Sequence, residues 1–238
     1  MVLGPESTGK STLCEALARH FSTIWCPEYA REYLLANGTD YTFDDLLTIA
    51  QGQLALEEDY LKRIESREDG KSASQQVSKL VGREAGRLER QEEGIGEERT
   101  LKAPQASDCF SHPNTFGLSD FRTFQTSDLP AQKLLFIDTD QYVMKVWCEY
   151  VFGDCHNWIL NQIAQRPYDL YLLCKPDLPW VKDELREYPD EKPRQELYHI
   201  YKDLLLAQQV PWAEISGDYD NRVYQAVQVV NSHFVRGK

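Results

Sequence analysis

The stretch Gly4-Pro5-Glu6-Ser7-Thr8-Gly9-Lys10-Ser11-Thr12 limits what this chain can fold into more than any other. It fits the pattern G-x-x-x-x-G-K-[ST], with the apolar pair Val2-Leu3 before it and a helical pattern after it. Gly4 and Gly9 permit backbone angles that turn successive N–H groups inward around a phosphate. Lys10 supplies a point charge for β- and γ-phosphates, and the Ser11 hydroxyl is a ligand type for Mg²⁺. Leu13, Leu17 and Phe21 recur at four-residue steps, so a helix follows whose N-terminus adds partial positive charge. A chance match in a turn rich in Gly and Ser is the alternative, but strand, loop and helix arrive in the required order. We therefore expect a P-loop in which Gly4, Glu6, Ser7, Thr8, Gly9, Lys10, Ser11 and Thr12 hold ATP. A strand is typically about five residues long, and only Met1-Val2-Leu3 precede Gly4, so either the strand is stunted or the native start lies upstream.

The chain has 238 residues, enough for one sizeable α/β domain with a substantial core. A net charge of −12 argues against a broad nucleic-acid or anionic-membrane surface and favours a cationic small substrate. The six cysteines form no C-x-x-C pair and no signal peptide is evident, which is the pattern of reduced, mostly buried thiols in a cytoplasmic protein. Cys148, Cys155 and His156 are close in sequence, but their spacing matches no usual zinc pattern, and burial is the expected role. No apolar run approaches bilayer length, so a soluble chain is expected.

Along the chain, Thr23-Ile24-Trp25-Cys26 reads as a second strand that ends in Pro27-Glu28-Tyr29-Ala30-Arg31. Ligands gather at the carboxyl ends of strands in open α/β sheets, which makes Glu28 and Arg31 site candidates. Asp44 is expected to cap a long amphipathic helix through Leu46, Ile49, Leu54, Leu61 and Ile64, with Gln51 and Gln53 as readily solvated as touching substrate. From 66 to 132 strong periodicity is lost, and the segment reads as a low-complexity, largely disordered insertion, or else as a lobe that orders on a partner. It separates 1–65 from 133–238, which together make one kinase-sized domain. Leu134-Leu135-Phe136-Ile137-Asp138 is a strand ending in a Walker-B-like carboxylate near the P-loop Mg²⁺, and Asp140 is a second acid at the same mouth. Leu170 to Cys174 and Trp212 to Ile215 complete about five strands of a parallel central sheet in a three-layer P-loop sandwich. A charged, Pro-containing stretch from Trp180 to Gln195 occupies the position of a mobile lid, and Arg186 and Arg194 are its candidates to reach a transferring phosphoryl group. Adenine contacts are expected around Tyr219 to Arg222.

The P-loop, Glu28-Tyr29-Ala30-Arg31-Glu32, Phe136-Ile137-Asp138-Thr139-Asp140 and Trp180…Asp183…Arg186 together resemble the ribosylnicotinamide (nicotinamide riboside) kinase family, the kinase part of bifunctional bacterial NAD-salvage proteins. The resemblance covers residues 1–65 and 133–235. It implies ATP·Mg²⁺ and phosphorylation of the riboside 5′-hydroxyl to nicotinamide mononucleotide. No H-x-G-H-type nucleotidyltransferase motif is present, and the insertion is a further departure. On this reading Lys10 and the P-loop amides hold the phosphates, and Ser11 and Asp138 hold the metal. Glu28 takes or orients the hydroxyl proton, while Arg186 and Arg194 neutralise developing charge. Arg31 and Asp140 hold the ribose, and Tyr29 and Trp147 offer rings to a pyridinium. Another P-loop nucleoside or small-molecule kinase, or a regulatory P-loop ATPase, would share much of this pattern.

Overall fold

The computed structural model describes residues 1–66, 134–182, 185 and 190–235. By internal contacts the chain divides into one unit of Met1–Ser66 with Leu129–Lys238 and another of Arg67–Asp128. The expected insertion from residue 67 onward, Arg186 and Asp183 lie outside the described residues.

Among the described residues five strands carry the first unit: β1 (Val2–Leu3), β2 (Ile24–Cys26), β3 (Leu135–Ile137), β4 (Tyr171–Cys174) and β5 (Trp212–Ile215). All pairings are parallel, with β1-β4-β5 in one ladder and β2-β3 in the other. A parallel bridge between Val2 and Asp138 joins the ladders, reinforced where the Thr139 N–H donates to the Val2 carbonyl at 3.3 Å. The order is therefore 2-3-1-4-5, and β1 lies beside β3 with no strand between them. Chain direction reverses its lateral progress at β1, so a crevice opens beyond the carboxyl ends of β1 and β3. The P-loop leaves β1 there and Asp138 leaves β3 there.

Alternation along the strands builds the layers. Val2, Leu172 and Cys174 face a core shared with α1 (Lys10–His20) and α7 (Tyr219–Val235). Leu3, Tyr171 and Leu173 face the opposite core, with α4 (Gln141–Phe152) and α6 (Glu191–Leu206). A third cluster packs α2 (Tyr29–Asn37), α3 (Phe43–Glu65), α4 and α5 (Asn157–Gln165) on one another. The result is the expected α/β sandwich around a parallel sheet.

Two boundaries differ from the sequence expectation. Thr42, not Asp44, caps α3: its hydroxyl accepts from the Asp45 N–H at 3.3 Å while Asp45 accepts from the Thr42 N–H at 2.8 Å, a reciprocal capping box. Asp44 is the second residue inside the helix, two positions past the cap and one before the residue that reaches back. Helix α6 begins at Glu191, so Lys192 and Arg194 belong to its first turn and not to a lid. Pro193 is tolerated there because first-turn N–H groups have no intrahelical partner. Among the described residues no helix is long and apolar enough to cross a membrane.

Candidate active site

The P-loop is wound tightly against the sheet. Gly4 has φ +142°, and a Cβ there would lie 2.6 Å from the Cys174 carbonyl oxygen, so any side chain is excluded by both conformation and space. Ser7 (φ +58°) and Gly9 (φ +77°) also take positive φ as the loop turns into α1. Thr8 Oγ1 and Lys10 Nζ both donate to the Pro5 carbonyl, at 2.8 and 3.0 Å, which closes the loop on itself. Arg222, fully buried on α7, donates to the carbonyls of Thr8, Lys175, Ile215 and Gly217 and pairs with Asp177. One guanidinium thus ties the P-loop to the loops after β4 and β5. The Arg222 side chain is occupied by backbone, whereas Tyr219 lies against Gly9 and lines the cleft.

That cleft has a volume of about 380 Å³. Gly4 and Glu6 through Thr12 line it together with Glu28 and Arg31, which stand at the carboxyl end of β2. Val143, Trp147 and Tyr150 come from one face of α4 at helical spacing, and Leu197 and Tyr201 from one face of α6. Trp147 is fixed edge-on to Tyr41, with ring centroids 4.9 Å apart and its Nε1–H donating to the Tyr41 hydroxyl at 2.8 Å.

Other candidates stand elsewhere. Tyr29 packs its ring over Gly52 of α3. Asp140 is buried and caps α4, accepting from the N–H groups of Tyr142 and Val143 at 3.1 and 3.2 Å. Arg194 is buried and donates to the Leu178 carbonyl at 3.0 Å. Sequence reading passed over Tyr201, Leu197, Val181 and Leu185 as lining residues; for the first two the i, i+4 spacing on α6 was the available signal.

Burial sets the electrostatics. Loss of solvent pushes the Asp138 carboxyl up to about 6, with the Glu28 charge adding and the Lys10 charge opposing. Asp140 is likewise pushed up to about 6 by burial, against the pull of its capping N–H groups. Asp138 Oδ2 accepts from Ser11 Oγ at 2.5 Å, while its Oδ1 is buried without a hydrogen-bond partner among the described residues. An oxygen pair with one orphaned carboxylate atom, next to a phosphate cradle, suits a hard divalent cation such as Mg²⁺. No cluster of three or more His, Cys, Asp or Glu able to hold a metal occurs among the described residues, and Cys148 and Cys155 are buried free thiols.

Strand order, phosphate cradle and adjoining carboxylate define a P-loop nucleotide-binding protein. A family model described as an AAA domain matches residues 1–73 and 73–222, and the chain belongs to that family. It is similar to the trifunctional NAD biosynthesis/regulator protein NadR of Salmonella typhimurium, 22% identical over 230 residues that make up 96% of this chain and 41% of that protein. The protein of the same description from Escherichia coli is 29% identical over 101 residues, 42% of this chain and 25% of the other. A crystal structure of NadR in complex with NR aligns with TM-score 0.55 and 19% identity over 98% of this chain and 48% of that one. A second, in complex with NAD and AMP-PNP, gives TM-score 0.53 and 19% identity, with the same coverage. The chain spans less than half the length of each of these proteins, and at such identity the structural likeness is one of fold.

Proposed function

We propose that this chain is an ATP-dependent kinase that phosphorylates the 5′-hydroxyl of nicotinamide riboside. The observation that carries the reading is a single cleft in which the Glu28 carboxylate and an aromatic wall share space with the P-loop. The similar proteins are described as NAD biosynthesis proteins, and solved relatives hold NR in one case and the ATP analogue AMP-PNP in another. Nicotinamide riboside carries a pyridinium charge, and a cation over an aromatic ring is worth ~0.5–2 kcal/mol.

Phosphoryl transfer needs positioning and charge neutralisation above all. The inward amides of the P-loop and Lys10 would hold the β- and γ-phosphates of ATP, with Tyr219 beside Gly9 placed for the adenine. Ser11 and Asp138 would hold Mg²⁺, which supplies charge neutralisation at the phosphates when bound. Glu28 accepts the proton of the 5′-hydroxyl as its oxygen bonds to the γ-phosphorus. The bond from that phosphorus to the bridging oxygen breaks, and ADP leaves with the electron pair. Arg31 lines the same cleft and would contact the ribose.

The decisive assay is coupled ADP release from ATP with nicotinamide riboside, thymidine, deoxycytidine or no acceptor. Rapid turnover is expected only with the riboside. Preference for a deoxynucleoside would redirect the substrate assignment, and equal turnover without acceptor would replace the kinase by an ATPase. Glu28→Gln should lower kcat by about 10²–10⁴-fold, the range of a general base, with ATP affinity preserved. Near-normal turnover of this variant would move the base role to another acid.

A further inference from the structure

The cleft explains which groups face the substrate but not what holds Glu28 still. Glu28 is the N-cap residue of α2, and its side chain makes no capping hydrogen bond. A carboxylate at a strand-to-helix turn would swing unless something outside the turn gripped it. Two buried side chains from distant parts of the chain do so.

The first is Gln53, on α3 and 1% exposed. Its Oε1 accepts from the Tyr29 N–H at 2.8 Å, and its Nε2 donates to the Pro27 carbonyl at 3.4 Å. One amide therefore holds the main chain on both sides of Glu28. The second is Thr139, 1% exposed and directly after Asp138. Its Oγ1 donates to Glu28 Oε1 at 3.3 Å. Thr139 has φ +73°, a conformation in which a β-branched residue is a genuine outlier. Such strain persists only where the surroundings over-determine it, and it concentrates at functional sites. Here the strained backbone sends the Thr139 N–H to the Val2 carbonyl and its hydroxyl to Glu28.

We propose that Gln53 and Thr139 are positioning residues that fix Glu28 in its working geometry: Gln53 clamps the backbone on either side, and Thr139 occupies one carboxylate oxygen so that the other faces the acceptor hydroxyl. This rests on the kinase reading and on Glu28 as the base. A 1 Å misplacement of a catalytic group costs about 10²-fold in rate, so a clamp of this kind acts on kcat and not on nucleotide binding.

The test is a kinetic double-mutant cycle on the full chain, with whichever acceptor of the panel above is turned over fastest. Gln53→Met and Thr139→Val remove the hydrogen bonds at nearly constant volume, and Thr139→Ser keeps the hydroxyl. In otherwise unaltered protein, Gln53→Met and Thr139→Val should each lower kcat by about 10–10²-fold, with AMP-PNP affinity and KM for ATP within ~2-fold, and Thr139→Ser should stay within ~3-fold. In a Glu28→Gln background, where slow turnover is followed by product accumulation, the same two changes should have almost no further effect, because they act through the group already removed. Undiminished kcat in Thr139→Val, or equal losses with and without Glu28, would overturn the clamp; the second outcome would place Thr139 in the service of its neighbour Asp138. If Gln53→Met does not fold, the isosteric Thr139→Val/Ser pair decides alone. Full turnover by Glu28→Gln itself would instead refute the base assignment, which the first arm detects separately.

Discussion

At the residue scale, the cleft depends on a few side chains whose neighbours leave them no alternative. Trp147 is one. Its ring is held edge-on to Tyr41 and its indole N–H is satisfied, so it presents an immobile face to the cleft. If that face receives the pyridinium, Trp147→Leu should raise KM for nicotinamide riboside by about 2–30-fold, the equivalent of a cation–π contact. KM for ATP should not change, and a neutral riboside analogue should show little difference between the two proteins. Arg222 makes the opposite point. A basic residue beside the expected adenine pocket looks in sequence like a ligand contact, yet it is fully buried and spends its donors on four backbone carbonyls and Asp177. Sequence shows that a guanidinium is available; only the fold shows that its donors are occupied.

At the element scale, the clearest local rules and the tertiary context part company on α3. The P-loop, its helix and the strand before Asp138 are readable because each is a local code: glycines where a side chain cannot fit, then helical periodicity, then a short apolar run with an acid at its end. Gly52 obeys no such local logic. In the interior of a 23-residue helix, Ala would be favoured over Gly by about 1 kcal/mol. A Cβ at this position, however, would lie 2.0 Å from the Tyr29 ring, and overpacking of this kind costs about 1–3 kcal/mol. The clash should win. Gly52→Ala is expected to lower the urea midpoint and, because Tyr29 adjoins Glu28, to lower kcat as well; a raised midpoint with full activity would show that the ring moves aside freely. The reading of Gln53 as equally solvated or substrate-facing failed for the same reason, since its partners at Pro27 and Tyr29 come from another helix–strand junction.

At the scale of the whole molecule, the fold buries acids that a cleft-centred reading overlooks. Glu57 of α3 is 5% exposed and accepts from the Tyr168 hydroxyl at 2.9 Å, and burial pushes its carboxyl up from 4.5 to about 7. Asp138 and Asp140 are raised to about 6 in the same direction. A carboxyl with a raised folded-state pKa binds its proton more tightly in the native state than in the unfolded chain. Its favourable contribution is therefore complete below the unfolded pKa and is lost as pH rises through the folded value. Thermal stability should accordingly fall between about pH 4 and pH 7, with Glu57 responsible for up to ~3 kcal/mol at 1.36 kcal/mol per pH unit. Glu57→Gln, which can still accept from Tyr168, should flatten the profile of Tm against pH. An unchanged slope would mean that Glu57 remains charged in the folded protein.

The sequence by itself determined the parallel α/β plan, the phosphate cradle and the set of strand ends from which a site can be built. These follow from short-range rules: glycine conformations, alternation and helical spacing act within a few residues of one another. The tertiary structure alone decided which of many polar side chains face the cleft and which are absorbed in holding it together. Glu28 meets Thr139 across 111 residues of chain, and the buried Arg222 meets Thr8 across 214. Whether a charge is offered to a ligand or consumed by a backbone carbonyl depends on what packs against it, and no local pattern encodes that.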